Sequence, residues 1–307
     1  MTVLSFINMK GGVGKTTIAS MVGEYLASYY GYSTLLIDID PQINLTLSFV
    51  SEEQWEDNKN KNRTITTLFQ DYIDKTFYFD FDKSIFQGVG KLRNKGERLD
   101  LLPCTPSLGI VQEKLYEFVQ RQGDRFDPVE IMKNGIGRNL KRYKFVIIDC
   151  PPNLGLVSRN GINISDYYLL PVIPNYLSTY GIPELIKEIR YTYGMSVPSL
   201  GIIFSRVAGN NNTHKKYINF LELGAKNGKN PPPFNTKIGN SAYLEREAES
   251  KAGYPWPNGP TSGQLLGYGD IRNEVENLYS LISPPLGKLI YQNQNRTFCL
   301  CNLGKAW

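Results

Sequence analysis

The chain has 307 residues, with 34 Lys and Arg against 29 Asp and Glu, a net charge of +5. At 41% hydrophobic, with 20 Tyr, 14 Phe and 3 Trp, it can bury a large core and falls outside the disordered class. One histidine (His214) and four cysteines (Cys104, Cys150, Cys299 and Cys301), none in a Cys-x-x-Cys pair, exclude a zinc site of the usual spacing and fit a reducing cytosol.

Residues 2–8 are short and apolar and read as a buried strand. A Gly-rich segment follows. Ile18, Val22 and Leu26 then recur at helical spacing, and Gly31 stops that helix. Leu35-Leu36-Ile37 forms a second apolar run ending at Asp38. The polar stretch 51–63 is expected to be a surface insertion, a solvated loop with a helix start. Further strands are expected at 99–103, 145–149, 167–172 and 200–204, with helical patterns at 108–119, 178–191 and 215–223. Residues 254–269, rich in Pro and Gly, read as a second surface insertion. Alternating strand and helix implies an α/β fold. The expectation is a mainly parallel twisted sheet with helices on both faces, in one domain over 1–307.

The segment Lys10-Gly11-Gly12-Val13-Gly14-Lys15-Thr16-Thr17 lies between the first strand and the first helix, where a phosphate cradle belongs. Its glycines let backbone N–H groups face phosphate oxygens without Cβ clashes. The helix beginning near Thr16 offers free amides and its positive dipole end. Lys15 can reach β- and γ-phosphates, and the Thr16 hydroxyl can ligate Mg²⁺. Met9 occupies the position of the first glycine in the strict pattern, and an added lysine, Lys10, follows it.

Loops at the carboxyl ends of parallel strands converge on one crevice. Asp38 and Asp40 follow one apolar run, and Asp149 follows Phe145-Val146-Ile147-Ile148. Asp149 reads as the aspartate that holds the metal through water. Asp38 is expected in the metal shell, and Asp40 is expected to orient the attacking water. Thr16, Asp38 and Asp149 are thus the metal set, and Lys15 and Asp40 belong to the catalytic set.

The chain resembles the ParA-type partition and positioning ATPases of the ParA/MinD family. Lys10 to Thr17 matches the family's deviant Walker A loop. Asp38-Ile39-Asp40-Pro41-Gln42 matches its first switch, and Asp149-Cys150-Pro151-Pro152 its Walker B and second switch. The resemblance runs from residue 2 to about 285. It implies a P-loop ATPase fold, ATP and Mg²⁺ as ligands, and an ATP-dependent sandwich homodimer in which Lys10 reaches the partner's phosphates and so joins the catalytic set. It further implies sequence-independent DNA binding and a ParB-like adaptor that stimulates hydrolysis. A cytoplasmic protein, nucleoid-associated with ATP, is the corresponding location. Two departures stand out: Ile43 where the family often has Gly, and Ser205-Arg206 where many members have Asn and a basic residue. Arg206 is therefore the candidate for the base side of the nucleotide.

Basic residues cluster at 206–251, with Lys215, Lys216, Lys237 and Arg246 as the DNA candidates. A second cluster holds Lys133, Arg138, Lys141, Arg142 and Lys144. Three rivals share the fold. A MinD-like membrane ATPase needs a basic amphipathic C-terminal helix, and residues 296–307 show no such stripe. No run of about 18 apolar residues is present, so no membrane span is expected. An iron–sulfur carrier needs cysteines on a dimer axis, for which Cys104 and Cys150 are candidates. A bacterial tyrosine kinase needs a terminal Tyr cluster, yet the last tyrosine is Tyr291. The phosphate loop starts so early that a cleavable leader is not expected.

Overall fold

The computed structural model describes residues 1–28, 30–90, 98–122, 127–192, 194 and 196–239. Seven strands form one sheet: β1 Thr2–Phe6, β2 Thr34–Asp38, β3 Leu99–Leu102, β4 Phe145–Asp149, β5 Tyr167–Val172, β6 Ser199–Val207 and β7 Pro233–Gly239. Their order is β3-β2-β4-β1-β5-β6-β7, and every pairing is parallel. The helices are α1 Lys15–Ser28, α2 Asn44–Phe49, α3 Glu52–Asn60, α4 Ile65–Asp74, α5 Phe81–Ser84, α6 Leu108–Gln122, α7 Ile131–Leu140, α8 Leu156–Asn163, α9 Tyr176–Tyr180, α10 Ile182–Lys187 and α11 Asn212–Lys226.

Every residue of β2, β3 and β4 is buried. That is the pattern of parallel strands covered on both faces, and it explains their unbroken apolar sequences. From β1 the chain moves outward to β2 and β3, returns through β4, and then crosses to β5 on the other side. The order reverses at β1, so the loop after β1 opens at the switch point, where ligands of such sheets bind. Register aligns the ends: Phe6 and Asp38 both pair with Asp149. Two aspartates are thereby placed side by side at the carboxyl edge, beside the phosphate loop.

Two segments differ from the sequence expectation. The helical pattern at 178–191 is broken into α9, α10 and a wide π-type turn, Glu188–Thr192. Pro183 is the cause at the first break, since it lacks an N–H and its ring clashes with the carbonyl four residues back. The stretch 51–63 is a docked helix rather than a loose insertion. Ser51 and Gln54 close a capping box at the start of α3. Trp55 is buried, and its Nε1 donates to the Cys104 carbonyl at 2.8 Å, clipping α3 to the end of β3.

This clip gives a stability test by denaturant unfolding. Trp55→Ala removes a buried indole and is expected to cost ~3–5 kcal/mol. Trp55→Phe keeps a ring but leaves the Cys104 carbonyl without its donor, and is expected to cost about 1–3 kcal/mol. Equal values near zero would show that α3 is an unanchored surface insertion after all.

Candidate active site

The phosphate loop is pinned from both sides. Gly12 and Gly14 stand at φ 73° and 83°, conformations that L side chains adopt only with strain. A Cβ built on Gly11 or Gly12 meets nothing within 4 Å, so the space in front of the loop is open. Asn8, which sequence reasoning passed over, is buried. Its Nδ2 donates to the Pro171 carbonyl of β5 at 2.8 Å, and its Oδ1 accepts from the Lys10 amide at 2.9 Å. On the other side the Ser205 hydroxyl of β6 donates to the Val13 carbonyl at 2.7 Å. The residue read as a family departure is thus a loop anchor.

Lys15 is buried, and its Nζ donates to the carbonyls of Asn8 and Lys10 at 3.2 and 3.3 Å. Burial lowers its pKa, against the attraction of Asp149 and Asp40. Two main-chain carbonyls are weak partners for a buried ammonium, and a phosphate would be a stronger one. The first turn of α1 adds amides without intrahelical acceptors and the positive end of the helix dipole.

Asp149 is fully buried at the end of β4. Its Oδ2 accepts from Thr16 Oγ1 at 2.6 Å. Its Oδ1 is buried and has no hydrogen-bond partner among the described residues. Burial pushes its pKa well up, and neighbouring Asp38 adds to the effect. An orphan carboxylate oxygen beside a threonine hydroxyl is the donor set a hard divalent cation takes together with phosphate oxygens and water. The residues present therefore fit Mg²⁺.

Asp38, expected in the metal shell, is occupied otherwise. Its Oδ1 accepts from the Asp40 amide at 3.0 Å, and its Oδ2 from the Thr46 amide at 2.8 Å and the Thr46 hydroxyl at 2.7 Å. It folds the 38–46 turn upon itself, and burial pushes its pKa up to about 7. Asp40 is 6% exposed and accepts from the Gln42 amide at 3.0 Å through Oδ1. Burial raises its pKa too, while Lys15 works the other way. Ile43 closes the same turn with its N–H on the Asp40 carbonyl at 2.8 Å. It does so at φ 54°, ψ 22°, with its side chain buried. A β-branched residue there is a backbone outlier, at a cost of about 1–2 kcal/mol.

The remaining candidates divide. Lys10 is partly exposed at the mouth of the loop. Arg206 is exposed at the end of β6 with φ 51°. Lys215 and Lys216 are exposed in the first turn of α11, and Lys237 is exposed on β7. In the second basic cluster, Lys133 pairs with Glu130 at 2.8 Å and Arg142 with Asp82 at 2.6 Å, so part of that charge is neutralised. Cys104 and Cys150 are fully buried, and burial raises both thiols, which does not fit ligands for an iron–sulfur cluster on an exposed face. Arg246, Cys299, Cys301 and the stretch 254–269 lie outside the described residues. Among the described residues no helix is long and apolar enough to cross a membrane.

The family described as AAA domain matches residues 1–202, well over half of the chain, which belongs to it. A virulence plasmid ParA family protein, pGP5-D of Chlamydia psittaci, is 28% identical over 279 residues, covering 90% of this chain and 95% of its own length. This chain is a ParA-type ATPase. Its further relatives include the sporulation initiation inhibitor protein Soj of Bacillus subtilis, 30% identical over 61% of this chain and 64% of Soj. Among solved structures, a putative plasmid partition protein of Borrelia burgdorferi B31 bound to AMPPNP superposes with a TM-score of 0.66, at 20% identity, over 90% of this chain and 98% of that one. That likeness carries the fold.

The turn at Ile43 gives a test whose sign is unusual. In most positions Ala is more stable than Gly. At φ 54° the order is expected to reverse, with Ile43→Gly more stable than Ile43→Ala by about 1 kcal/mol in urea unfolding. Ala above Gly would place residue 43 in ordinary right-handed backbone.

Proposed function

We propose that this ParA-type protein positions or segregates a cargo by an ATP-driven dimer cycle. Two ATP-loaded copies close face to face over their nucleotides and bind DNA without sequence preference. A ParB-like or other adaptor then stimulates hydrolysis and resets the cycle. The cargo class is a plasmid, a chromosome region or a protein compartment, and the ATP-bound form is nucleoid-associated.

The observation that carries this reading is Lys10. A phosphate cradle already has its cation in Lys15, which is buried and aimed inward. Lys10 sits at the exposed mouth, one residue before two glycines with open space in front of them. A second cation there serves a phosphate arriving from outside the protomer. The other roles proposed are these. The amides of Gly11 to Thr17 and Lys15 hold the β- and γ-phosphates. Thr16 and Asp149 hold Mg²⁺, which when bound neutralises charge on the phosphate oxygens. Asp40 orients the attacking water, and Asp38 fixes the turn that carries Asp40. Arg206 flanks the base side. Lys215, Lys216 and Lys237, all exposed, are the proposed DNA contacts, and Arg246, outside the described residues, is a further candidate.

Light scattering of the full chain tests the cycle. The mass is expected to double with ATP and Mg²⁺ and to remain that of a monomer with ADP. Lys10→Ala is expected to bind ATP normally, yet to dimerise weakly and hydrolyse slowly. Asp40→Ala is expected to remain a dimer on ATP. Duplex binding is expected only with ATP and to fall linearly in log affinity against log salt. One mass in ATP and ADP alike would remove the dimer cycle.

A further inference from the structure

A contact of Lys10 within its own protomer bears on how the dimer forms. Its Nζ donates to Asn175 Oδ1 at 3.4 Å, a long bond across 165 residues of sequence. Asn175 is also the N-cap of α9, and the same Oδ1 accepts from the Ser178 amide at 3.0 Å. The side chain that starts α9 therefore also restrains the signature lysine.

The segment α9 is short, held at its start by the Asn175 cap and against α11 by Tyr176 beside the Tyr217 ring. It spans five residues, Tyr176–Tyr180, before the chain bends at Gly181 and Pro183. Two of its hydroxyls, Ser178 Oγ and Thr179 Oγ1, are buried with no hydrogen-bond partner among the described residues. Buried hydroxyls left unpaired are costly, so the element has little to lose by shifting. Its outer side chains Tyr176, Leu177 and Tyr180 are exposed.

We infer that Asn175 is a positioning residue that parks Lys10 on its own protomer and releases it when a second copy presents its phosphates. The inference rests on the reading that Lys10 acts across the dimer. The shared acceptor explains why the hold is weak. A long bond to a neutral amide can be displaced by a phosphate, to which an ammonium binds far more strongly. A carboxylate at 175 would hold Lys10 more firmly, and a shorter hydroxyl would not reach it. Asp and Ser are both strong N-caps, so either variant keeps the start of α9.

The test is a pair of variants in the full chain, Asn175→Asp and Asn175→Ser, with the dimer dissociation constant read by sedimentation in ATP and Mg²⁺. ATP affinity of the monomer and the melting temperature are read alongside. Asn175→Asp is expected to weaken dimerisation about fivefold, the scale of one partly exposed ion pair, and to lower turnover at subsaturating protein. Asn175→Ser is expected to shift both readouts the opposite way, with ATP affinity of the monomer unchanged in either variant. Shifts in the same direction, or none, would overturn the parking role. So would a fall in the monomer's ATP affinity in Asn175→Asp, which would mean that the new charge acts on the nucleotide directly. If the wild-type chain stays monomeric in ATP, the cross-dimer reading of Lys10 itself fails, whatever the variants do.

Discussion

Thr16 Oγ1 donates to Asp149 Oδ2 across 2.6 Å, joining the first turn of α1 to the end of β4. This bond depends on the sheet order. Only with β4 beside β1 does the Walker B strand end under the phosphate loop. The other oxygen of Asp149 is then left buried without a partner among the described residues, next to a second aspartate held in register by β2. Three carboxylates with raised pKa values and one lysine with a lowered one share this spot. Such a concentration of buried charge opposes folding and is the mark of a site arranged for a ligand. A metal ion and a triphosphate supply the charge pattern that this cluster lacks.

Rigidity and looseness are distributed unevenly around that spot. The 38–46 turn is closed by bonds from Asp40, Gln42, Ile43 and Thr46, and it tolerates a left-handed isoleucine in order to stay closed. Asp40 is thus presented in a formed turn. The α9 side is the reverse, with a five-residue helix, two orphan hydroxyls and a long bond to Lys10. Asp40, proposed to act within the protomer, sits on the stiff side. The lysine proposed to act on a second copy sits on the loose one. The α3 segment belongs to the stiff side as well, because Trp55 reaches the Cys104 carbonyl and Thr46 accepts from the Cys104 amide at 3.2 Å.

Much of this was legible in the residues. Strands such as β4, buried on both faces, carry continuous apolar runs that admit few other readings, and the boundaries at Phe145 and Asp149 follow directly. The glycines and lysines of the loop announce themselves by spacing. What sequence reasoning missed depends on contacts distant along the chain. Asn8 gains its role only because Pro171 lies beside it, and Ser205 only because Val13 does. Asp38 reads as a metal ligand from its place after an apolar run, and its carboxylate accepts from the Asp40 amide and from Thr46, eight residues on, a contact that spacing does not reveal. The helices α4 and α7 were passed over because α4 opens on β-branched residues and α7 contains two glycines, both weak helix formers.

Thr16 and Asp149 are proposed to complete a cation site beside a bound triphosphate. Calorimetric titration of ATP into the full chain, with Mg²⁺ and with chelator, and again on Asp149→Asn, reads that site. Mg²⁺ is expected to tighten ATP binding to the wild-type chain by about tenfold or more, a gain of ~1.4 kcal/mol. Asp149→Asn is expected to lose this gain while keeping its metal-free affinity. Equal ATP affinity with and without Mg²⁺ in the wild type, or a full Mg²⁺ gain in the variant, would remove the cation from Thr16 and Asp149.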